Sequence, residues 1–280
     1  MGLMLSGCNN AGNSESQNEK DATAETQSAV TNDTAEGQKD GAEEQVNDNR
    51  PLGVQALLAA YPEEIKDYKD GKLIMADGTT IIYDDGKEKD FETMLDNSSP
   101  KDMFYKPYPK EFGTPEYLAD AGRSRSEELF KKMYGSSSDK VRSTLVKVPW
   151  FGGSVMFTSK NGANKQLEKV YNELKEHPEL QKYLKSSGTF NWRNVRGANR
   201  MSAHSYGIAF DIGVDSSDYW LWKNPKAKET DKISYHNRIP VEIAKIFEKY
   251  GFIWGGGWYH FDTMHFEYRP EILKYRDLQK

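Results

Sequence analysis

Two short stretches near the C-terminal end of the sequence combine histidine with aspartate. In SAHSYGIAFD (202–211), His204 precedes a glycine and Asp211 lies within an otherwise apolar segment. In DTMH (262–265), Asp262 precedes His265 by three residues. An ionised aspartate inside a buried strand is costly unless it is paired or bound to a metal ion. The two stretches are therefore candidate metal-ligating segments.

Zinc suits this set of side chains, because neutral imidazole and carboxylate both bind Zn²⁺ and a catalytic site uses three protein ligands with one position left for water. His204, Asp211 and His265 make such a set. Asp262 would then be free to act as general base on a water whose pKa zinc lowers. For each stretch taken singly, the alternative is a hydrogen-bonded His–Asp pair with a structural role. The HExxH motif of helix-borne zinc proteases does not occur in the sequence.

The relation between Asp262 and His265 depends on the local backbone. If residues 261–266 form a regular strand, the two side chains point to opposite faces of the sheet. A helical turn or a bulge in that segment would bring both side chains toward one site.

The segments that must position these residues alternate between helical and strand patterns. We expect helices over 51–62, 126–135, 163–188 (with a break or kink at Pro178) and 238–251. We expect strands within 72–86 as a hairpin about Asp77-Gly78, within 143–158 around Gly152-Gly153, over 207–214, and within 252–268 around the run Gly255-Gly256-Gly257. This alternation predicts an α+β domain in which helices pack on a mainly antiparallel sheet.

Composition changes sharply near residue 50. Residues 9–50 contain ten acidic and three basic residues and no aromatic residue, so we expect a disordered acidic tether there. All tryptophan, tyrosine and phenylalanine residues lie beyond it, enough for one sizeable core. Residues 51–280 are close to neutral. They therefore lack the strongly basic surface that would indicate a nucleic-acid partner.

The single cysteine, Cys8, excludes an intramolecular disulfide. The sequence Leu5-Ser6-Gly7-Cys8 resembles the cleavage box of bacterial lipoproteins, in which the cysteine carries the lipid. Because a polar tether follows, we expect residues 1–8 to be a truncated lipoprotein signal and Cys8 to anchor the chain to a membrane. A chance LSGC in a leftover leader is the alternative.

The two histidine-bearing stretches also resemble a known family. SAHSYGIAFD is similar to the SxHxxGxAxD signature of the zinc D-alanyl-D-alanine carboxypeptidases, and DTMHFEYRPE is similar to their second signature. That family includes vancomycin-resistance D,D-peptidases and phage L-alanyl-D-glutamate endopeptidases, and it shares the Hedgehog/D,D-peptidase fold. The resemblance extends over about residues 55–272 through GTFNWRNVRGANR and FIWGGGWYHF. It implies zinc ligands at His204, Asp211 and His265 and a base at Asp262, where many members have glutamate.

The resemblance further implies an arginine upstream of the first stretch, because charge in the transition state needs a nearby cation. Arg193 is the candidate by position, both for catalysis and for substrate binding, and Arg196 and Arg200 are its rivals. Ser202 is expected to bind substrate or to shape the turn.

The remaining aromatic and histidine residues of this region have open roles. Trp254, Trp258 and Tyr259 either line the cleft or form an aromatic core. His260 is the rival metal ligand, which we expect outside the ligand set, and we expect His236 outside the site.

The resemblance implies a bacterial cell-wall enzyme. We expect residues 141–280 to be a zinc peptidase domain and residues 51–140 to be an extension packed on it. The expected activity is removal of terminal D-alanine from peptidoglycan stem peptides with one Zn²⁺. The alternatives are an L-Ala-D-Glu-type endopeptidase and a non-catalytic, zinc-containing wall-binding module. The expected location is extracytoplasmic, with the chain lipid-anchored to the membrane.

Overall fold

The computed structural model describes residues 48–279 of the chain. Its α-helices are α1 (Leu52–Ala60), α2 (Phe91–Asp96), α3 (Glu127–Tyr134), α4 (Ser138–Arg142), α5 (Ala163–Leu174), α6 (Trp220–Lys223), α7 (Val241–Lys249) and α8 (Pro270–Leu278). Its strands are β1 (Ile65–Lys69), β2 (Lys72–Met75), β3 (Thr80–Ile82), β4 (Leu145–Trp150), β5 (Gly153–Thr158), β6 (Ser186–Gly188), β7 (Ala209–Ile212), β8 (Phe252–Trp254) and β9 (His265–Tyr268). Short 3-10 helices lie at Lys101–Phe104, Lys160–Gly162, Pro178–Tyr183, Ala203–Tyr206, Val214–Ser216 and Gly255–Gly257.

A four-stranded antiparallel sheet with strand order β6-β7-β9-β8 holds the central core. Helix α7 packs on it through its apolar face, which contains Ile243 and Phe247. The Phe247 ring stacks on Phe266 of β9, with ring centroids 4.0 Å apart, and lies beside Phe210 of β7. Strands β7, β8 and β9 place aromatic side chains on one face of the sheet, namely Phe210, Phe252, Trp254, Phe266 and Tyr268. The other face carries Asp211, His265 and Glu267.

The first part of the described chain packs on the same core. Strands β1, β2 and β3 form an antiparallel sheet, and α1 packs against the C-terminal helix α8. The hairpin β4–β5 packs on α5, which also contacts α7. Residues 48–279 belong to one compact unit. The boundary that we placed at residue 140 stays a prediction.

The predicted α+β class with a mainly antiparallel sheet is confirmed. The helices expected over 51–62, 126–135 and 238–251 correspond to α1, α3 and α7, and the hairpins expected at Asp77-Gly78 and Gly152-Gly153 correspond to β2–β3 and β4–β5. The strand expected over 207–214 is the shorter β7, which ends before Gly213, a residue with φ +52°.

Two expectations differ from the structure in detail. The helix expected over 163–188 ends at Leu174, and Pro178 begins a separate 3-10 helix, where its missing N–H costs nothing. Residues 186–188 form strand β6 because they hydrogen-bond with β7. In the segment 252–268 the glycine run forms a 3-10 helix, and the second strand begins only at His265.

The predictions for residues 1–8, and for the tether as far as residue 47, lie outside the described residues. No helix within residues 48–279 is both long enough and apolar enough to cross a lipid bilayer.

Candidate metal centre

A capped turn places His204. Ser202 precedes the 3-10 helix Ala203–Tyr206, and its Oγ accepts a hydrogen bond from the backbone N–H of His204 at 3.4 Å. Gly207 ends the turn with φ +67°, and a Cβ on that residue would lie 2.7 Å from the Leu145 side chain. The positive φ favours glycine there, because residues with a Cβ rarely adopt that conformation.

Strand register places Asp211 next to His265. The two residues are directly paired between the antiparallel strands β7 and β9, so their side chains lie on the same face of the sheet. His265 is the first residue of β9, and a turn precedes it in which the His265 N–H donates to the Asp262 carbonyl at 3.1 Å. Residues 261–266 therefore do not form one regular strand, and the backbone bends before His265. This bend brings Asp262 and His265 to the same cavity.

The side chains of His204, Asp211 and His265 converge. Their candidate ligand atoms all lie within 4.8 Å of one another. Nε2 of His204 is 3.2 Å from Oδ2 of Asp211, and Nδ1 of His265 is 2.8 Å from Oδ1 of the same carboxylate. One carboxylate and two imidazoles thus face a common point.

The remaining ring nitrogens indicate that this donor set fits a metal ion. Nδ1 of His204 is hydrogen-bonded to the Thr189 carbonyl, and Nε2 of His265 lies 2.9 Å from Oε1 of Glu267. Carbonyl and carboxylate oxygens accept hydrogen bonds, so they hold a proton on these outer nitrogens. The inner nitrogens are then the ones left to bind a metal ion, as in zinc sites whose histidines are oriented by a second acceptor. Two histidines and one carboxylate are the ligand types of catalytic zinc.

Asp262 lies beside the His–Asp–His cluster in the same cavity. Its Oδ1 is inaccessible to solvent and has no hydrogen-bond partner within residues 48–279. Burial raises the pKa of the Asp262 carboxyl to about 7. A carboxylate with a pKa near neutrality can take up and release a proton at ordinary pH, which is what a general base requires.

The cavity has a volume of about 260 Å³ and five arginines in its walls. The cluster, Asp262 and Ser202 also line it, together with an aromatic wall made of Tyr219, Trp220, Trp222 and Trp258.

The three arginines proposed from sequence occupy different positions in this cavity. Arg193 and Arg196 are exposed, and the Arg193 guanidinium donates only to the Asn194 carbonyl within the described chain. Arg200 is buried, 2.5 Å from an Asp96 oxygen and 3.3 Å from a Glu229 oxygen. The role given to Arg193 stays a prediction.

Sequence reasoning missed two further arginines of the cavity, Arg123 and Arg125. The Arg125 Nη1 lies 3.0 Å from Oε1 of Glu267, the carboxylate that also contacts His265. Arg123 makes a bidentate ion pair with Glu229 at 2.8 and 2.9 Å. Both belong to the loop before α3 and are distant in sequence from the His–Asp stretches. The sequence signal was weak: two arginines just before an N-cap serine.

The structure also locates the histidine and the aromatic residues to which the sequence alone gave no single role. His260 lies outside the ligand set, since its Nδ1 is 2.5 Å from Asp120 and its ring is buried. Trp254 is in the core, where its indole N–H donates to the Thr263 carbonyl. Tyr259 anchors the loop at Asp231 through its hydroxyl, whereas Trp258 lines the cavity.

Comparison with known protein families gives a match in the C-terminal part of the chain. Residues 196–268 match the family model described as D-alanyl-D-alanine carboxypeptidase, which confirms the resemblance within a shorter range than the sequence suggested. The chain has no significant match among curated proteins or among solved structures. The matched segment carries the whole His–Asp–His cluster, so the metal-binding part of the chain is similar to the D-alanyl-D-alanine carboxypeptidase family.

Proposed function

We propose that this chain is a zinc-dependent D-alanyl-D-alanine carboxypeptidase that acts on peptidoglycan stem peptides. The observation that carries the proposal is the convergence of His204, Asp211 and His265 beside the Asp262 carboxyl, whose Oδ1 has no hydrogen-bond partner within residues 48–279. The family match of the same segment supports a peptidase rather than a structural His–Asp pair. A binding module would gain nothing from a buried carboxyl group without a hydrogen-bond partner, because such a group costs stability.

The three cluster residues would hold the zinc ion, and bound zinc would polarise both the scissile carbonyl and the attacking water. Asp262 removes a proton from that water as it attacks. The same carboxyl group then returns the proton to the departing amine, so that D-alanine leaves as a neutral amine. Burial sets the pKa of Asp262 at about 7 in the metal-free structure, and a bound cation would favour the charged carboxylate that takes the proton from water.

The arginines divide into two groups by their partners. Arg123, Arg125 and Arg200 each form an ion pair with a carboxylate of the protein. Within residues 48–279, Arg193 and Arg196 have no carboxylate at ion-pair distance, although both line the same cavity. A terminal carboxylate needs a cation that is not already neutralised. We assign recognition of the substrate's terminal carboxylate to Arg193, with Arg196 beside it.

The endopeptidase alternative rests on Asp262, because aspartate in place of glutamate resembles the endopeptidase-like members. Products separate the two activities. Incubation of the zinc-loaded protein with a pentapeptide muropeptide, followed by mass spectrometry, is expected to show loss of one alanine. Internal cleavage would support the endopeptidase. An intact peptide in the presence of bound zinc would support the non-catalytic module and contradict the proposal.

We also propose that the enzyme acts outside the cytoplasm and is tethered through a lipid on Cys8. The support is the LSGC sequence followed by a polar, acidic segment. In a bacterial host, Cys8→Ser is expected to move the protein from the membrane to the soluble fraction. An unchanged distribution would contradict the anchor without affecting the proposed chemistry.

A further inference from the structure

We infer that Glu267 is a positioning residue that fixes the metal ligand His265 and the cavity arginine Arg125 with a single carboxylate. The inference rests on the proposed function, because it assigns His265 to a metal site. Glu267 lies within the matched segment but outside the residues to which sequence reasoning gave a role.

The contacts of Glu267 are directed at the site. Its Oε1 is 2.9 Å from Nε2 of His265 and 3.0 Å from Nη1 of Arg125. Glu267 is 1% exposed, so water does not compete for these hydrogen bonds. A carboxylate accepts from both groups at once, and it therefore sets the distance between them.

Strand geometry accounts for this placement. His265 and Glu267 are two residues apart on β9, so both side chains project from the same face. Across the ladder, Asp211 faces His265 and Ala209 faces Glu267. Because Ala209 has a small side chain, it leaves space over the strand for the Glu267 carboxylate and the guanidinium groups that reach it.

A second set of buried charges fixes Glu267 from the other side. Its Oε2 accepts from Arg269 at 3.2 Å, and Arg269 donates to the Gly122 carbonyl at 2.7 Å and to Glu271 at 2.5 Å. Tyr61, which follows α1, donates its hydroxyl to Glu271 at 2.5 Å. Tyr61, at the end of α1, thus joins a network of hydrogen-bonded buried side chains. The network runs through Glu271, Arg269 and Glu267 to the metal ligand His265.

The charges of this network of buried side chains balance. Glu267 and Glu271 carry two negative charges, and Arg125 and Arg269 carry two positive charges. A buried ion pair that loses one member leaves an uncompensated charge, so these four side chains have one preferred arrangement. His265 in contact with such an arrangement has its ring orientation fixed before a metal ion arrives, with Nε2 held toward Glu267 and Nδ1 toward Asp211, which favours binding.

The test compares Glu267→Gln with Glu271→Gln. Both variants replace a buried carboxylate in the same network of side chains, but only Glu267 contacts His265. Zinc affinity, measured by chelator competition without peptide, is expected to fall ~10- to 100-fold in Glu267→Gln and by a clearly smaller factor in Glu271→Gln, which reaches His265 only through Arg269 and Glu267. The visible absorption bands of the cobalt-substituted protein should shift more in Glu267→Gln than in Glu271→Gln.

Folded Glu267→Gln with wild-type zinc affinity and an unchanged cobalt spectrum would overturn the inference. If that variant does not fold, nitrogen-15 NMR of histidine-labelled, zinc-loaded wild-type protein decides. We expect His265 to carry its proton on Nε2, and a proton on Nδ1 would overturn the inference. A wild-type protein that binds no zinc would instead refute the proposed function, so the two failures are distinguishable.

Discussion

Asp211 lies directly opposite His265 on paired antiparallel strands, with Oδ1 of the carboxylate 2.8 Å from Nδ1 of the imidazole. The site therefore depends on the register of β7 and β9. A shift by one residue would turn either side chain to the aromatic face of the sheet. Phe210 and Phe266, the next pair in the ladder, lock the register by packing on α7.

Replacing the proposed base separates metal binding from hydrolysis. Asp262→Asn keeps the shape of the side chain but removes its ability to take a proton. We expect hydrolysis of the pentapeptide to fall ~10²- to 10⁴-fold, the usual contribution of a general base, with one zinc ion retained. Steady-state kinetics and metal analysis on the same sample check this. Asp215→Asn, on an exposed residue, is the matched control and should be fully active. Unchanged hydrolysis in Asp262→Asn would remove Asp262 from the mechanism.

The pH profile should report the same carboxyl group. Burial raises the pKa of Asp262 to about 7, and a base works only when deprotonated. Activity is therefore present above this pKa and lost as the pH falls through it. A bound divalent cation favours the charged carboxylate, so the acid limb of kcat/KM should lie at or below pH 7. The residual activity of Asp262→Asn should lack this limb. If Asp262→Asn keeps an acid limb with the same midpoint, that limb belongs to a group other than Asp262.

Zinc binding should release a proton from His265. Burial by itself lowers the pKa of His265, but the hydrogen bonds that its ring donates to the Asp211 and Glu267 carboxylates outweigh burial and raise the pKa to about 10 in the metal-free protein. The stabilising contribution of this raised pKa is fully present below the ordinary histidine pKa and is lost as the pH rises through 10. Zinc requires the neutral ring nitrogen, so its apparent affinity should rise about tenfold per pH unit between pH 7 and 9. Calorimetry in buffers of different ionisation enthalpy measures the proton count, and a value of zero would contradict the raised pKa.

Two arginines of the cavity should have different kinetic roles. Arg125 is held beside the metal ligand through Glu267, so Arg125→Gln is expected to lower kcat ~10²-fold, as loss of a preorganised donor does. Arg193 is exposed and has no acidic partner in the described chain. Arg193→Ala should raise KM about tenfold with a smaller change in kcat. Peptides with an amidated C-terminus should be insensitive to Arg193→Ala. If Arg193→Ala mainly lowers kcat and Arg125→Gln mainly raises KM, the two roles are exchanged.

The candidate site could be predicted from sequence as far as local spacing reaches. A buried strand with one aspartate, a histidine shortly before that strand, and a histidine three residues after another aspartate indicated four of the cavity residues. The bend that aligns Asp262 with His265 could not be predicted, because it depends on the Asp262 N–H donating to the Gly255 carbonyl. Arg123 and Arg125 could not be assigned either, since their position comes from tertiary packing of the loop before α3.

The fold shows the same division. Apolar periodicity was enough to predict α3 and α7, each of which buries one face. It could not predict β6, whose residues Ser186–Gly188 are polar or small and become a strand only by pairing with β7. Nor could it predict that Tyr61 contacts Glu271, a hydrogen bond between opposite ends of the described chain.

The most direct test of the account is metal content in wild type and in His204→Ala. We predict one zinc per wild-type chain, loss of pentapeptide hydrolysis on chelation, and its return on addition of Zn²⁺. His204→Ala should retain the fold, measured by circular dichroism, but bind no stoichiometric zinc and hydrolyse no peptide. Stoichiometric zinc in folded His204→Ala, or hydrolysis by the chelated wild type, would contradict the assignment of the metal site.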